Sequence, residues 1–89
     1  MKIKSDFVLQ TIADEYVVVP IAEEASRLHG VIKLNETGAV IWRNLQEGTK
    51  TIEEIENDLK IKYNVDVAMI RADVELFLHQ IQEIGCLEE

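Results

Sequence analysis

The side chains able to do chemistry are few and far apart. His29 and His79 lie about 50 residues from each other, and the single cysteine, Cys86, stands among Ile84, Gly85 and Leu87 near the C-terminus. A metal site needs three or four ligands at workable spacing, which these three residues do not offer. A reactive thiol needs a base or cation beside it to hold the thiolate. Cys86 has no such neighbour in sequence and reads as a small buried apolar residue. Carboxylates are plentiful, but the pairs Glu23-Glu24 and Glu53-Glu54 fall in polar, solvated stretches. Gly30, Gly38, Gly48 and Gly85 are isolated, so there is no glycine-rich phosphate loop. No serine sits in a nucleophile-elbow pattern. The chain is therefore expected to be no enzyme and to hold no metal or cofactor.

Charge narrows the partners. The net charge is −8, and the nine Lys and Arg residues are scattered rather than clustered. Binding a polyphosphate needs a concentrated basic patch, so nucleic acid is not expected. No apolar run approaches the roughly 20 residues of a membrane helix; the longest, Tyr16 to Ala22, is interrupted by Pro20. Met1 to Asp6 carries two lysines without a signal-type apolar segment after them. One cysteine allows no internal disulfide. Together these features predict a cytoplasmic protein. With 89 residues, 47% apolar and 29% charged, the composition is that of one globular domain over 1–89.

The pattern changes near Asn35 from strand-like to helical. Three strands are predicted: Phe7 to Ala13, Tyr16 to Ile21, and roughly Leu28 to Lys33, with Asp14-Glu15 as the first turn and Ala22 to Arg27 as a loop. The second is rich in β-branched valines. Gly30 inside the third suggests a bend. Three helices follow. The first is capped by Asn35 and stopped by Gly48. Gly38 in its first turn costs about 1 kcal/mol against Ala, which implies something packed closely there. The second begins with the capping box Thr51-x-x-Glu54 and stops near Asn64. The third begins at Asp66 and ends at Gly85, with Ile70, Val74, Phe77, Ile81 and Ile84 as its stripe, flanked by Val67 and Leu78. The fold class is α+β, an N-terminal three-stranded antiparallel sheet followed by a three-helix bundle.

Such a plan resembles a winged helix, and winged helices often bind DNA. Between Asp66 and Glu89, however, stand six acids and one base, Arg71. Phosphate repels a helix of that balance. What remains is the sheet edge, whose unpaired N–H and C=O groups can accept an extended peptide as a further strand.

The stretch Leu34-Asn35-Glu36-Thr37-Gly38-Ala39-Val40-Ile41-Trp42, then Leu45, Gly48 and Thr51-Ile52-Glu53-Glu54-Ile55, resembles the signature of the PqqD family. The family is named for the coenzyme PQQ synthesis protein D, and its domain is also called the RiPP recognition element. Asp73 to Leu78, followed by Gly85-Cys86-Leu87, is similar to the family's third helix and C-terminus. The resemblance covers nearly the whole chain and implies a winged-helix-like domain. It implies a non-catalytic chaperone that binds the leader segment of a ribosomally made precursor peptide by strand addition. It also implies presentation to a modifying enzyme, often a radical S-adenosylmethionine enzyme. The groove it implies is lined by Val31, Ile32 and Lys33 on the third strand and by Arg71, Val74, Glu75 and Leu78 on the third helix. Asn35, Gly38 and Trp42 are read as scaffold. Two alternatives stay open: a winged-helix DNA-binding or transcription-regulatory domain, and a subunit that forms a homodimer through the third strand or third helix.

Overall fold

The computed structural model describes residues 1–88 except His29, Thr49 and Val65, and the backbone but not the side chain of Val67. Expectations that rest on His29, on Glu89 or on the Val67 side chain lie outside the described residues. In chain order the elements are β1 (Lys2–Ile3), β2 (Phe7–Ile12), β3 (Glu15–Pro20), α1 (Ala22–Arg27), β4 (Ile32–Leu34), α2 (Glu36–Glu47), α3 (Ile52–Lys62), α4 (Val67–Ile84) and β5 (Leu87–Glu88). The architecture is α+β and winged-helix-like. An antiparallel sheet in the order β2-β3-β4 is followed by three packed helices, and a two-stranded ribbon of β1 and β5 joins the termini.

Alternation sets the sheet. Leu9, Val18 and Ile32 stand opposite one another on the face toward the helices, and Tyr16 stands opposite Leu34 two residues along. Val17, opposite Lys33, points to the other face. The β2–β3 turn is Ala13-Asp14 rather than Asp14-Glu15. Ile12 pairs with Glu15, and both turn residues have positive φ, 50° and 66°, the conformation of a two-residue hairpin loop whose twist matches the strands.

Two further expectations need correction. Ala22 to Arg27 is the helix α1, not a loop. Arg27 binds the Glu24 carboxylate one turn back and also donates to the Ile84 carbonyl at 2.8 Å, so both its ends are held. The last strand is shorter and later than Leu28 to Lys33. Gly30, at φ +141°, leaves the strand conformation, and pairing begins only at Ile32.

The helix signals are matched by geometry. Asn35 Oδ1 accepts from the Gly38 amide at 2.7 Å. In the Thr51 capping box both reciprocal bonds are present, at 3.2 and 3.1 Å. Asp66 caps α4 through the Ala68 amide. Gly85, left-handed at φ +93°, closes α4 with two carbonyl contacts, and the Cys86 amide reaches back to the Ile81 carbonyl at 2.9 Å. This is the paired-bond C-terminal motif that needs a glycine-like conformation. Trp42, Ile41, Leu45, Ile55, Leu59, Val74 and Ile81 are the heart of the core, against Val18 and Phe7 of the sheet. Burying each such side chain contributes about 1.5–3 kcal/mol. Phe7 meets Trp42 edge-on, with centroids 6.3 Å apart and rings at 78°. Cys86 is buried in the core, and burial pushes its thiol up to about 11.

Candidate functional site

The hydrogen-bond alternation of the sheet decides which backbone groups are free. The Ile21 amide donates to the Asp6 carbonyl at 2.8 Å. Phe7 and Pro20, one step inward, are therefore a non-hydrogen-bonded pair. Pro20, which has no N–H, turns its nitrogen toward the β4 side, where pairing has already ended, so no ladder bond is lost. Carried across β3, the same alternation has Val18 bond Ile32 and Tyr16 bond Leu34. The N–H and C=O groups of Val31 and Lys33 then point outward along the free edge. That edge is the candidate site.

One face of α4 flanks this edge. The Arg27 bond to the Ile84 carbonyl ties the chain just before β4 to the C-terminal end of α4. At the other end of β4, a Cβ placed on Gly38 would lie 3.0 Å from Phe77 Cε2 and 3.5 Å from Leu34 Cβ. Phe77 and Leu34 thus converge on the first turn of α2. This is the close packing that Gly38 implies, and it sets β4 along α4 from Ile84 to Phe77. Just past Leu34, a cleft of 180 Å³ opens between the start of α2 and α4, lined by Asn35, Thr37, Gly38 and Ile41 on one side and by Asp73, Leu76, Phe77 and Gln80 on the other. Leu76 is 59% exposed and Val31 55%; both are large apolar groups left uncovered beside an open strand edge.

The residues expected from sequence are distributed unevenly over this geometry. Val31, Ile32 and Lys33 all lie at the free edge. Ile32 faces inward, and Lys33 faces outward with its ammonium 3.7 Å from the Glu15 carboxylate. On the helix the four expected residues fall in different places. Val74 and Leu78 are buried, at 0% and 6% exposure, and form the floor of the core rather than a groove wall. Arg71 lies on the opposite flank of α4, where its Nε and Nη2 bond both oxygens of Glu56 on α3 at 3.0 and 2.8 Å. The guanidinium holds the buried Glu56 carboxyl below the usual range, and the carboxylate raises Arg71 in return. Glu75 is exposed and lines none of the cleft. The row that meets the cleft is one step around the helix: Asp73, Phe77 and Gln80, with Leu76 beside them. Periodicity identifies the buried stripe but treats its two flanks alike. What distinguishes them in the structure is Gly38, where an added Cβ would meet Phe77 of α4 at 3.0 Å as well as Asn35 Oδ1 at 3.1 Å.

Among the described residues no group of three His, Cys, Asp or Glu could hold a metal ion, and His79 is engaged with Glu83 at 3.0 Å. No described helix is long and apolar enough to cross a membrane.

The family model for coenzyme PQQ synthesis protein D matches residues 15–87. The chain belongs to the PqqD family. Two solved structures of similar fold were found. "TbiB1 in Complex with the TbiA(beta) Leader Peptide" is 31% identical with a TM-score of 0.78, covering 99% of this chain and 95% of that one. "Lasso peptide synthetase B1 complexed with the leader peptide" is 17% identical with a TM-score of 0.77, covering 99% and 96%, a likeness of fold. No curated protein matches the chain. The PqqD match begins at Glu15, the first residue of β3, and so spans β3, β4 and the four helices, with every residue that lines the cleft.

Proposed function

We propose that this PqqD-family chain is a non-catalytic peptide-recognition domain spanning 1–89, acting in the cytoplasm. It captures the leader segment of a ribosomally made precursor peptide as an added strand on β4 and presents it to a modifying enzyme, such as a radical S-adenosylmethionine enzyme. The carrying observation is the free β4 edge, with the backbone groups of Val31 and Lys33 turned outward beside Leu76 and Phe77. Backbone bonds supply affinity, and the cleft supplies pockets for every second side chain. The leader peptides bound by TbiB1 and by lasso peptide synthetase B1 support the reading. The proposed contact set is Val31, Ile32 and Lys33 on the strand with Asp73, Leu76, Phe77 and Gln80 on α4. Arg71, Val74, Glu75 and Leu78 act behind or beside it.

The DNA-binding alternative draws no support from α4. Its exposed face carries Asp73, Glu75 and Glu83, and its one arginine is committed to Glu56.

Titrating the ¹⁵N-labelled chain with the leader of the precursor encoded beside it tests the proposal. Amide shifts are expected at Val31 to Leu34 and from Asp73 to Gln80. Saturable binding whose shifts avoid both stretches would overturn it.

A further inference from the structure

Beyond the C-terminal end of β4 the cleft does not close. The cavity walled by Ile41, Leu76 and Phe77 adjoins a second one, of 160 Å³, walled by Leu59, Tyr63, Met69 and Ile70. Thr37 and Asp73 line both, so the Asp73 side chain stands where the two meet. An apolar cavity of about 150 Å³ is large enough to take a benzene ring. The second cavity therefore has room for one bulky side chain. Its rim includes Met69, 64% exposed, as the first cavity's includes Leu76. Uncovered apolar groups of this size at a concave site mark a surface that meets something else.

Charge tells what that something carries. Among the described residues Asp73 takes part in no ion pair, whereas Lys33, Lys62 and Arg71 each take part in one. Arg71 grips Glu56, Lys62 lies 3.0 Å from Asp58 and Lys33 faces Glu15. Arg43 sits over the Tyr16 ring, 5.4 Å from its centroid. The phenol of Tyr63 is pushed up first by burial and then by the Glu36 carboxylate, with Arg43 acting the other way. In a chain of net charge −8, the second cavity offers largely apolar walls, and Asp73, shared with the first, offers a carboxylate outside any ion pair among the described residues.

Resting on the strand-addition reading, we infer that the joined cavities are a side-chain subsite for a peptide bearing a Lys or Arg next to a bulky apolar residue, just outside the segment that pairs with β4. The apolar side chain enters between Tyr63 and Met69, and the cation meets Asp73. This subsite selects among peptides that could all pair with the same backbone edge.

The test is selection from a displayed library of randomised 15-residue peptides on the full-length chain, in parallel with Asp73→Lys and Met69→Glu. Both positions are exposed, and thermal melts check that the variants fold. Wild type is expected to enrich a Lys or Arg adjacent to a Leu, Phe or Tyr. Replacing that base by Glu in a synthetic copy of an enriched peptide should weaken binding about tenfold or more, and Asp73→Lys should reverse the preference. Met69→Glu should lose the apolar preference alone. If enriched peptides shift the β4 amides yet show no charge preference that follows residue 73, the subsite is wrong and strand addition stands. If no enriched peptide shifts the β4 amides, strand addition fails and the subsite fails with it.

Discussion

The sheet has two outer strands, and they differ in nearly every respect. β2 offers six residues, Phe7 to Ile12, none of them charged; by the same alternation the backbone groups of Phe7, Leu9 and Thr11 face outward from it. β4 offers three residues and a lysine. On length alone β2 is the better template for an added strand. The surroundings reverse that order. Beside β2 lies a cleft of mixed lining, with Lys2, Lys4, Gln46 and Glu47 around Phe7, Val8, Leu9 and Leu45. Past the end of β4, Phe77 of α4 converges with Leu34 on Gly38, and two cavities sharing Thr37 and Asp73 follow, the second with largely apolar walls. Backbone hydrogen bonds are much the same along any strand and are exchanged for bonds to water at a modest net gain of about 1 kcal/mol each. If an added strand prefers β4 to β2, side-chain pockets and not backbone bonds must make the difference.

Proline substitution puts this contrast to its strongest trial. Lys33→Pro removes an outward N–H without touching the Val18–Ile32 and Tyr16–Leu34 bonds. Leader-peptide affinity by anisotropy should fall more than about tenfold, equal to roughly 1.4 kcal/mol or more, with far-UV circular dichroism retained. Thr11→Pro removes an outward N–H from β2 in the same way and should leave affinity unchanged. Equal losses from the two would erase the distinction between the edges.

A smaller effect separates scaffold from site. Thr51→Ala breaks the α3 capping box, far from both edges. It should cost about 1 kcal/mol in a urea titration with peptide affinity unaltered; a parallel drop in affinity would mean that the cleft depends on helix stability in general.

The smallest concerns acid. Asn44, through a 2.8 Å hydrogen bond, and then Lys62 hold the Asp58 carboxyl below its ordinary value. A depressed carboxyl adds stability that is present above the unfolded value near 4 and lost as pH falls through the folded one. Stability should therefore decline from about pH 4 downward. Asp58→Asn should flatten that decline by under about 1 kcal/mol, given the partly exposed site. An unchanged acid limb in Asp58→Asn would assign the decline to other carboxylates.

Much of this architecture is legible in sequence because it rests on local rules. Asn35, Thr51, Asp66 and Gly85 announce helix ends by chemistry confined to a few neighbouring residues. The valine-rich β3 and the stripe from Ile70 to Ile84 follow from periodicity. The errors arise where distant parts of the chain decide. α1 is fastened by an arginine to a carbonyl on α4, and β1 and β5 are two-residue strands that exist only because the termini meet. At the site the strand residues are legible because an edge is a property of one strand. The helix residues are not, since Phe77 and Arg71 flank the same stripe and only the packing of Gly38 against Phe77 says which flank looks onto β4.

Arg27 adds a last point. By binding the Ile84 carbonyl and filling the space over Gly85, it ties together two parts of the chain 57 residues apart, while Phe77 and Leu34 meet at Gly38 further along α4. Strand and helix are thus the two rails of a slot whose gauge is set before any guest arrives. A guest entering such a slot gives up its own freedom but does not have to organise the host, and the free energy that host ordering would have cost is kept as affinity.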